Sequence, residues 1–286
     1  MKFTGERIPI LNRGDQLREG KYYLHSSFER ALNYSNAGRF ISMVTPEVGS
    51  GPDSLVWCEL PEDALHEIEI GGLEGGATPW MSWGGNRILL DAVPVFDSAL
   101  PRFSAGDRGA FGERIQLFEH LLKKHAPERS LVFLLDTERE ELFRRGFEEA
   151  LLQRFRKGAG LLREQRYLEC FTELRGLGWG LTPSGDDFIA GVAMALRFHG
   201  SSLDLDGATL TGILSDEASS SLSTHLIRRS FQGLICARWK TMIQTLKTGK
   251  EVEIERALLR VLDVGATSGA DTSTGWLLGL RGENWG

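Results

Sequence analysis

The sequence predicts an α+β protein: a mainly β, barrel-like N-terminal domain (1–110) followed by a mainly helical C-terminal domain (111–286). Three observations predict it. Up to about residue 110, short β-branched and aromatic runs alternate with glycine-rich turns. Past Pro101 the apolar residues recur at steps of three and four instead. Finally, 286 residues of which 41% are apolar are enough for one large or two ordinary cores.

Taken in order, the expected strands are Lys21–Phe28, Arg39–Val44, Ser54–Leu60, His66–Ile70 and Asn86–Phe96. Gly49-Ser50-Gly51-Pro52-Asp53 and the pairs Gly71-Gly72, Gly75-Gly76 and Gly84-Gly85 supply the turns between them. His25–Asn33 also reads as a short helix, since Phe28, Ala31 and Leu32 share a helical face. Glu113–His125 carries Ile115, Leu117, Phe118, Leu121 and Leu122 at helical spacing, whereas the apolar run Leu131–Leu135 suits a buried strand. Leu142, Phe143, Phe147, Ala150, Leu151 and Phe155 predict a further helix, with Gly158 and Gly160 as stop signals. Leu161–Arg175, Leu210–Ser230, Leu234–Thr248 and Val252–Val264 read as helices in the same way.

Composition narrows the function classes. The net charge of −6 opposes non-specific nucleic-acid binding, and the arginine-rich stretch Arg139–Arg166 is interleaved with glutamates, the pattern of a solvated helix face. Cys58, Cys170 and Cys236 are widely separated and form no CxxC, which supports neither a disulfide framework nor a zinc knuckle. No run of about 18 apolar residues is present and Met1–Pro9 has no signal-peptide core, so the expectation is a cytoplasmic protein without membrane contact. The 34 glycines, about 12% of the chain against roughly 7% in ordinary proteins, concentrate at residues 71–85, 176–191 and 265–286.

Two of those stretches share a motif. Thr182-Pro183-Ser184-Gly185-Asp186-Asp187 and Ala266-Thr267-Ser268-Gly269-Ala270-Asp271 each precede an apolar helical segment. Ser184 matches Ser268, Gly185 matches Gly269, Asp187 matches Asp271, Gly191 matches Gly275 and Leu196 matches Leu280, all at an offset of 84. Ser-x-x-Asp at a helix start is the signature of a capping box, in which serine accepts from the amide three residues on and the carboxylate reaches back. Gly191, Gly275 and Gly279 fall inside the helices, where each costs about 1 kcal/mol relative to alanine unless close packing offsets it.

The flanking residues point to a ligand. Gly176, Gly178, Gly180 and Gly185 make an amide-exposing loop that runs into a helix N-terminus, a place that favours phosphate or carboxylate. It is not a P-loop, because Asp186-Asp187 stand where lysine and serine or threonine belong, and no strand precedes it as a dinucleotide fold requires. Adjacent carboxylates repel bare phosphate. Either Mg²⁺ bridges Asp186, Asp187 and Asp271, or these aspartates act as caps and bases and hold a neutral donor group. Asp186, Asp187 and Asp271 are the candidate catalytic residues; Gly178, Gly180, Thr182, Ser184, Gly185, Ser268 and Gly269 are candidates for substrate binding. His225, between the two copies, and Arg175, a candidate clamp for an anion, complete the set. Zinc hydrolysis has no HExxH to support it, and neither serine sits in the G-x-S-x-G of a nucleophile elbow.

Gly178-Trp179-Gly180-Leu181-Thr182-Pro183-Ser184-Gly185-Asp186-Asp187, with Thr267-Ser268-Gly269-Ala270-Asp271 downstream, resembles the AllH family. His25-Ser26-Ser27-Phe28-Glu29-Arg30-Ala31, Asn33 and Gly49-Ser50-Gly51-Pro52 look like the same family's first half. The resemblance implies a subunit of an oxamate carbamoyltransferase of allantoin and purine breakdown, working beside an FdrA-type subunit similar to acyl-coenzyme A ligases. The implied reaction moves a carbamoyl group between oxalurate and phosphate. Trp179, Ala266 and Thr272–Thr274 depart from the family pattern. Two other readings stand beside it: a non-catalytic scaffold subunit, and a Mg²⁺-dependent hydrolase using the aspartates.

Overall fold

The computed structural model describes residues 9–61, 64–101, 108–143, 146–200, 212, 214 and 220–281. It divides into two units, one formed from Met1–Ala99 with Ile235–Ala237, the other from Leu100–Leu234 with Arg238–Gly286.

The first unit holds β1 (Ile10–Gly14), β2 (Gly20–Phe28), β3 (Ala31–Asn36), β4 (Arg39–Val44), β5 (Ser54–Trp57), β6 (Glu67–Gly71), β7 (Trp80–Trp83), β8 (Asn86–Leu89) and β9 (Val95–Phe96). They form one curled sheet, a half-barrel, in the order β8-β7-β6-β2-β3-β4-β5-β1-β9. The β4–β5 and β1–β9 pairs are parallel and the rest antiparallel. Alternation puts Tyr22, Leu32, Tyr34, Ile41, Met43, Leu55, Trp57, Ile68 and Ile70 on one face, where they make the core. The β reading of this part and the helical reading of the next both hold. His25–Asn33 is not a helix: it is the β2–β3 hairpin, where pairing of Phe28 with Ala31 across a two-residue turn satisfies the backbone that a helix would have used.

The second unit is helical: α1 (Arg108–His125), α2 (Phe147–Arg163), α3 (Tyr167–Leu174), α4 (Ser184–His199), α5 (Ser221–Phe231), α6 (Ala237–Thr248), α7 (Glu251–Leu262) and α8 (Ser268–Arg281). Leu131–Leu135, expected as a strand, is not one: Leu131–Leu134 form a 3₁₀ turn with Leu131, Val132 and Phe133 buried, and the described residues of this unit hold no strand for it to pair with. Gly158 and Gly160 do not stop α2. Gly158 instead lets α3 approach, because a Cβ there would lie 2.6 Å from the Leu174 side chain. Part of the expected helix Leu210–Ser230 lies outside the described residues, and α5 is its described portion. Among the described residues no helix is long and apolar enough to cross a membrane.

Candidate functional site

The two motif copies meet. They begin α4 and α8, and these form the most extensively packed helix pair of the unit. The pairing is reciprocal: a Cβ on Gly191 would lie 2.1 Å from the Thr272 carbonyl oxygen, and one on Gly275 would lie 2.1 Å from that of Phe188. Under the repeat's offset these are equivalent contacts, so α4 and α8 cross about a local pseudo-twofold axis with backbones touching through glycine. Gly279 extends the seam against Val192 and Ala195. Close backbone approach is what offsets the propensity cost of glycine within both helices.

The same relation extends to the preceding helices. A Cβ on Gly185 would lie 1.9 Å from the Leu174 carbonyl oxygen at the end of α3, and one on Gly269 would lie 2.1 Å from that of Val261 at the end of α7. The Gly185 amide donates to Leu177 O at 2.8 Å and the Gly269 amide to Val264 O at 3.2 Å. Both glycines therefore pin a helix start onto the helix before it, and their amides are spent on that turn. The repeated unit is helix, turn, helix, with the first turn longer: Gly178 to Ser184 spans what Gly265 to Ser268 spans in the second.

The serines and aspartates do not form the expected capping boxes. Pro183 is the N-cap of α4 and its side chain makes no cap hydrogen bond, while the Asp186 and Asp187 amides donate to Pro183 O at 2.8 and 3.1 Å. Each carboxylate instead works across the pair. Thr182 Oγ1 donates to Asp187 Oδ2 at 3.1 Å and lies 3.1 Å from Ser268 Oγ. Asp271 Oδ1 accepts the Leu131 amide at 2.7 Å, and Oδ2 is buried with no hydrogen-bond partner among the described residues.

Electrostatics follow from the enclosure. Burial pushes Asp187 well above the ordinary carboxylate range, the charge of Asp271 and more weakly that of Asp186 add to it, and the Ser268 and Thr182 hydroxyls pull the other way. Asp271 is fully enclosed and pushed up to about 6 by burial, offset in part by the Leu131 amide and the hydroxyls of Thr267 and Ser184. Burial and a neighbouring like charge both favour the protonated form of Asp187.

Asp186 is placed differently from its neighbour. It forms a buried ion pair with Arg175, accepts the Gly176 amide at 2.8 Å and takes the Ser223 hydroxyl from α5. Arg175 also reaches Thr224, and His225 follows these residues on the same buried stretch of α5. Arg175 and Asp186 thus tie the loop to α4 and α5. They do not face Asp187 and Asp271 as one donor set. Among the described residues no group of three histidine, cysteine or acidic side chains is arranged to hold a metal ion.

The loop over this junction carries unspent donors. The amides of Gly178, Trp179, Gly180, Leu181 and Thr182 make no hydrogen bond among the described residues. Gly178 and Gly180 hold it open at φ 107° and 94°, a region that other residues avoid. Trp179 and Leu181 are 42% exposed at its rim, and the Trp179 ring lies 6.3 Å from that of Phe143. Elsewhere, a shallow groove between α2 and α3 brings none of the predicted residues together. Its charges are already paired, Arg154 and Lys157 with Glu173, Arg166 with Glu164 and Glu169.

Sequence reasoning missed Leu131, whose amide holds Asp271, and Ser223, whose hydroxyl holds Asp186. Neither belongs to a motif, and only folding brings them within reach.

Residues 174–280, which contain both motif copies and the helices between them, match the family described as oxamate carbamoyltransferase subunit AllH. No curated protein and no solved structure matches the chain.

Proposed function

Taking the AllH match over 174–280 as premise, we propose that this chain is a subunit of an oxamate carbamoyltransferase-like enzyme of allantoin breakdown, working beside an FdrA-type subunit. It binds a small anionic amide or carbamoyl phosphate at the α4–α8 junction. The observation that carries this reading is the pair of buried carboxylates, Asp187 and Asp271, the first hydrogen-bonded to Thr182 at the end of a loop of unspent amides. Amides without protein partners suit phosphate or carboxylate oxygens and stabilise charge that develops on them.

In the reaction, a phosphate oxygen attacks the carbamoyl carbon of oxalurate, the C–N bond breaks, and the oxamate nitrogen leaves. That nitrogen must gain a proton and the phosphate must lose one. Asp187, the more exposed of the two and hydrogen-bonded to Thr182, gives its proton to the leaving nitrogen and takes up the one released by phosphate. Asp271, enclosed behind it, is a positioning residue that keeps the Asp187 carboxyl protonated until the nitrogen needs it. Thr182 and Ser268 orient that carboxyl. Arg175 and Asp186 hold the loop in place.

The test uses the pure chain and the conservative variant Asp187→Asn. Carbamoyl phosphate at about 100 times its Kd is expected to raise the melting temperature of the wild type by about 2 °C or more. Asp187→Asn, folded to the same extent, is expected to lose carbamoyl transfer in the reconstituted complex by about 100-fold. Full transfer activity in the folded variant overturns the proton-transfer role.

A scaffold role has one observation in its favour: Gly185, Gly269 and Asp186 are all spent on holding helices together. On that reading carbamoyl phosphate, oxamate and phosphate leave the melting temperature of the isolated chain unchanged.

A further inference from the structure

An anion at the α4–α8 junction adds negative charge to a place that already holds it in excess. Asp187 and Asp271 are both buried, and the charges acting on Asp187 are those of Asp271 and Asp186, all of one sign. Arg175, at the end of α3, is committed to Asp186 in a buried ion pair. Among the described residues the influences on the two carboxyls include no cation. The 3₁₀ turn Leu131–Leu134 has no charged side chain, and the buried faces of α2 and α7 are entirely apolar. Glu119 of α1 is paired with Lys123 and with Arg281 at the far end of α8, and His225 of α5 is buried next to Thr224, the partner of Arg175.

One oxygen of the pair is unprovided for. Asp271 Oδ1 accepts the Leu131 amide at 2.7 Å, whereas Oδ2 is buried with no hydrogen-bond partner among the described residues. A carboxylate oxygen left dry and unpaired is costly, and a proton on it removes the charge that makes it so. A proton can reach this oxygen where a hydrated metal ion cannot, because Asp271 is fully enclosed. The amides of the loop lead to the same place: that of Thr182 makes no hydrogen bond among the described residues, and its hydroxyl donates to Asp187 Oδ2 at 3.1 Å. An anion held by the Thr182 amide therefore sits beside the residue that touches Asp187, in surroundings that screen charge poorly.

Resting on the anion site proposed above, we propose that an oxyanion binds there together with a proton from solvent, taken up by the Asp187–Asp271 pair at Asp271 Oδ2, so that the site is regulated by pH. Burial already pushes Asp271 up to about 6 in the empty site, and a further negative charge nearby raises it again. Between about pH 6 and about pH 8 the proton is then present in the complex and absent without the anion. Linkage makes the effect reciprocal: the anion favours the proton, and the proton favours the anion, so binding tightens as the pH falls.

The probe is inorganic sulfate, whose own charge is constant over this range, so that any proton taken up goes to the protein. Calorimetric titration of the full chain at pH 7, in two buffers of different ionisation enthalpy, is expected to show uptake of about 0.5–1 proton per sulfate. The affinity is expected to fall about 5–10-fold between pH 7 and pH 8. Asp187→Asn/Asp271→Asn, neutral at both positions and still offering oxygens to Thr182 and Leu131, is expected to bind sulfate without proton uptake and with less than about twofold change over that range. Sulfate binding to the wild type with no buffer-dependent heat overturns the coupling and leaves the anion site standing, and this comparison decides alone if the double variant does not fold. Unchanged uptake in the folded double variant also overturns the proposal, as does binding that requires Mg²⁺ and takes up no proton. Failure of sulfate to bind at any pH from 6 to 8 overturns the anion site and the coupling together.

Discussion

The Thr182 and Ser268 hydroxyls stand 3.1 Å apart although 86 positions separate them in the chain. This contact joins the two motif copies at the mouth of their junction, and Thr182 also donates to Asp187. The carboxylates below it are consequently shielded by hydroxyls supplied across the pair. Such an arrangement makes helix packing and carboxyl chemistry interdependent.

That dependence gives alanine opposite effects at different glycines. Gly191→Ala and Gly275→Ala each drive a Cβ to within 2.1 Å of a backbone oxygen of the facing helix. Each is expected to destabilise the protein by about 1–3 kcal/mol in denaturant unfolding. Gly160→Ala, in α2 with nothing within 4 Å of its Cβ, is expected to stabilise by up to about 1 kcal/mol. A neutral result at Gly191 and Gly275 would contradict the close crossing.

The pH dependence of stability reports on Asp271. Its carboxyl binds a proton more tightly in the folded chain, where it is pushed up to about 6, than in the unfolded chain. The stability it contributes is complete below about pH 4 and is lost as the pH rises to about 6. Asp187, also raised, acts in the same direction. Asp271→Asn, which retains an oxygen for the Leu131 amide, is expected to lose less stability than the wild type between pH 4 and pH 7, by about 1 kcal/mol or more. Urea titrations at the two pH values measure the difference, and parallel losses would show that Asp271 titrates normally.

The Arg175–Asp186 pair is buried on both sides, so its halves are coupled. Arg175→Met strands a carboxylate and is expected to cost about 3–5 kcal/mol. Adding Asp186→Asn, whose amide oxygen still accepts the Gly176 amide, is expected to recover part of that loss. A double-mutant cycle checks this, and strict additivity would rule out the coupling.

Much of the fold was legible because period reports burial. Steps of three and four in α1 mark one face that must leave water, and the apolar, aromatic-containing run Arg39–Val44 appears as β4, so both elements lie where expected. β1, β3 and β7 were not read, being short and partly polar, and they are held by neighbours on both sides in the sheet. Leu131–Leu134 shows the same limit from the other direction: a short apolar run says that it is buried, and its surroundings decide whether it becomes a strand or a 3₁₀ turn. Gly158 read as a stop signal because glycine propensity is local, whereas its role is to admit Leu174.

By itself, the sequence determined the β-to-helix order, the repeat of Ser-Gly-x-Asp at an offset of 84, and the placing of each copy at a helix start. These depend on residues close together in the chain, where spacing is geometry. Tertiary structure alone decided that the copies face each other, that Asp186 turns to Arg175 while Asp187 is grouped with Asp271, and that a bulge at His25 brings Ser26 to Asn33. Those outcomes depend on backbone approach through glycine and on desolvation, and both are set by what packs around a residue after the chain has folded.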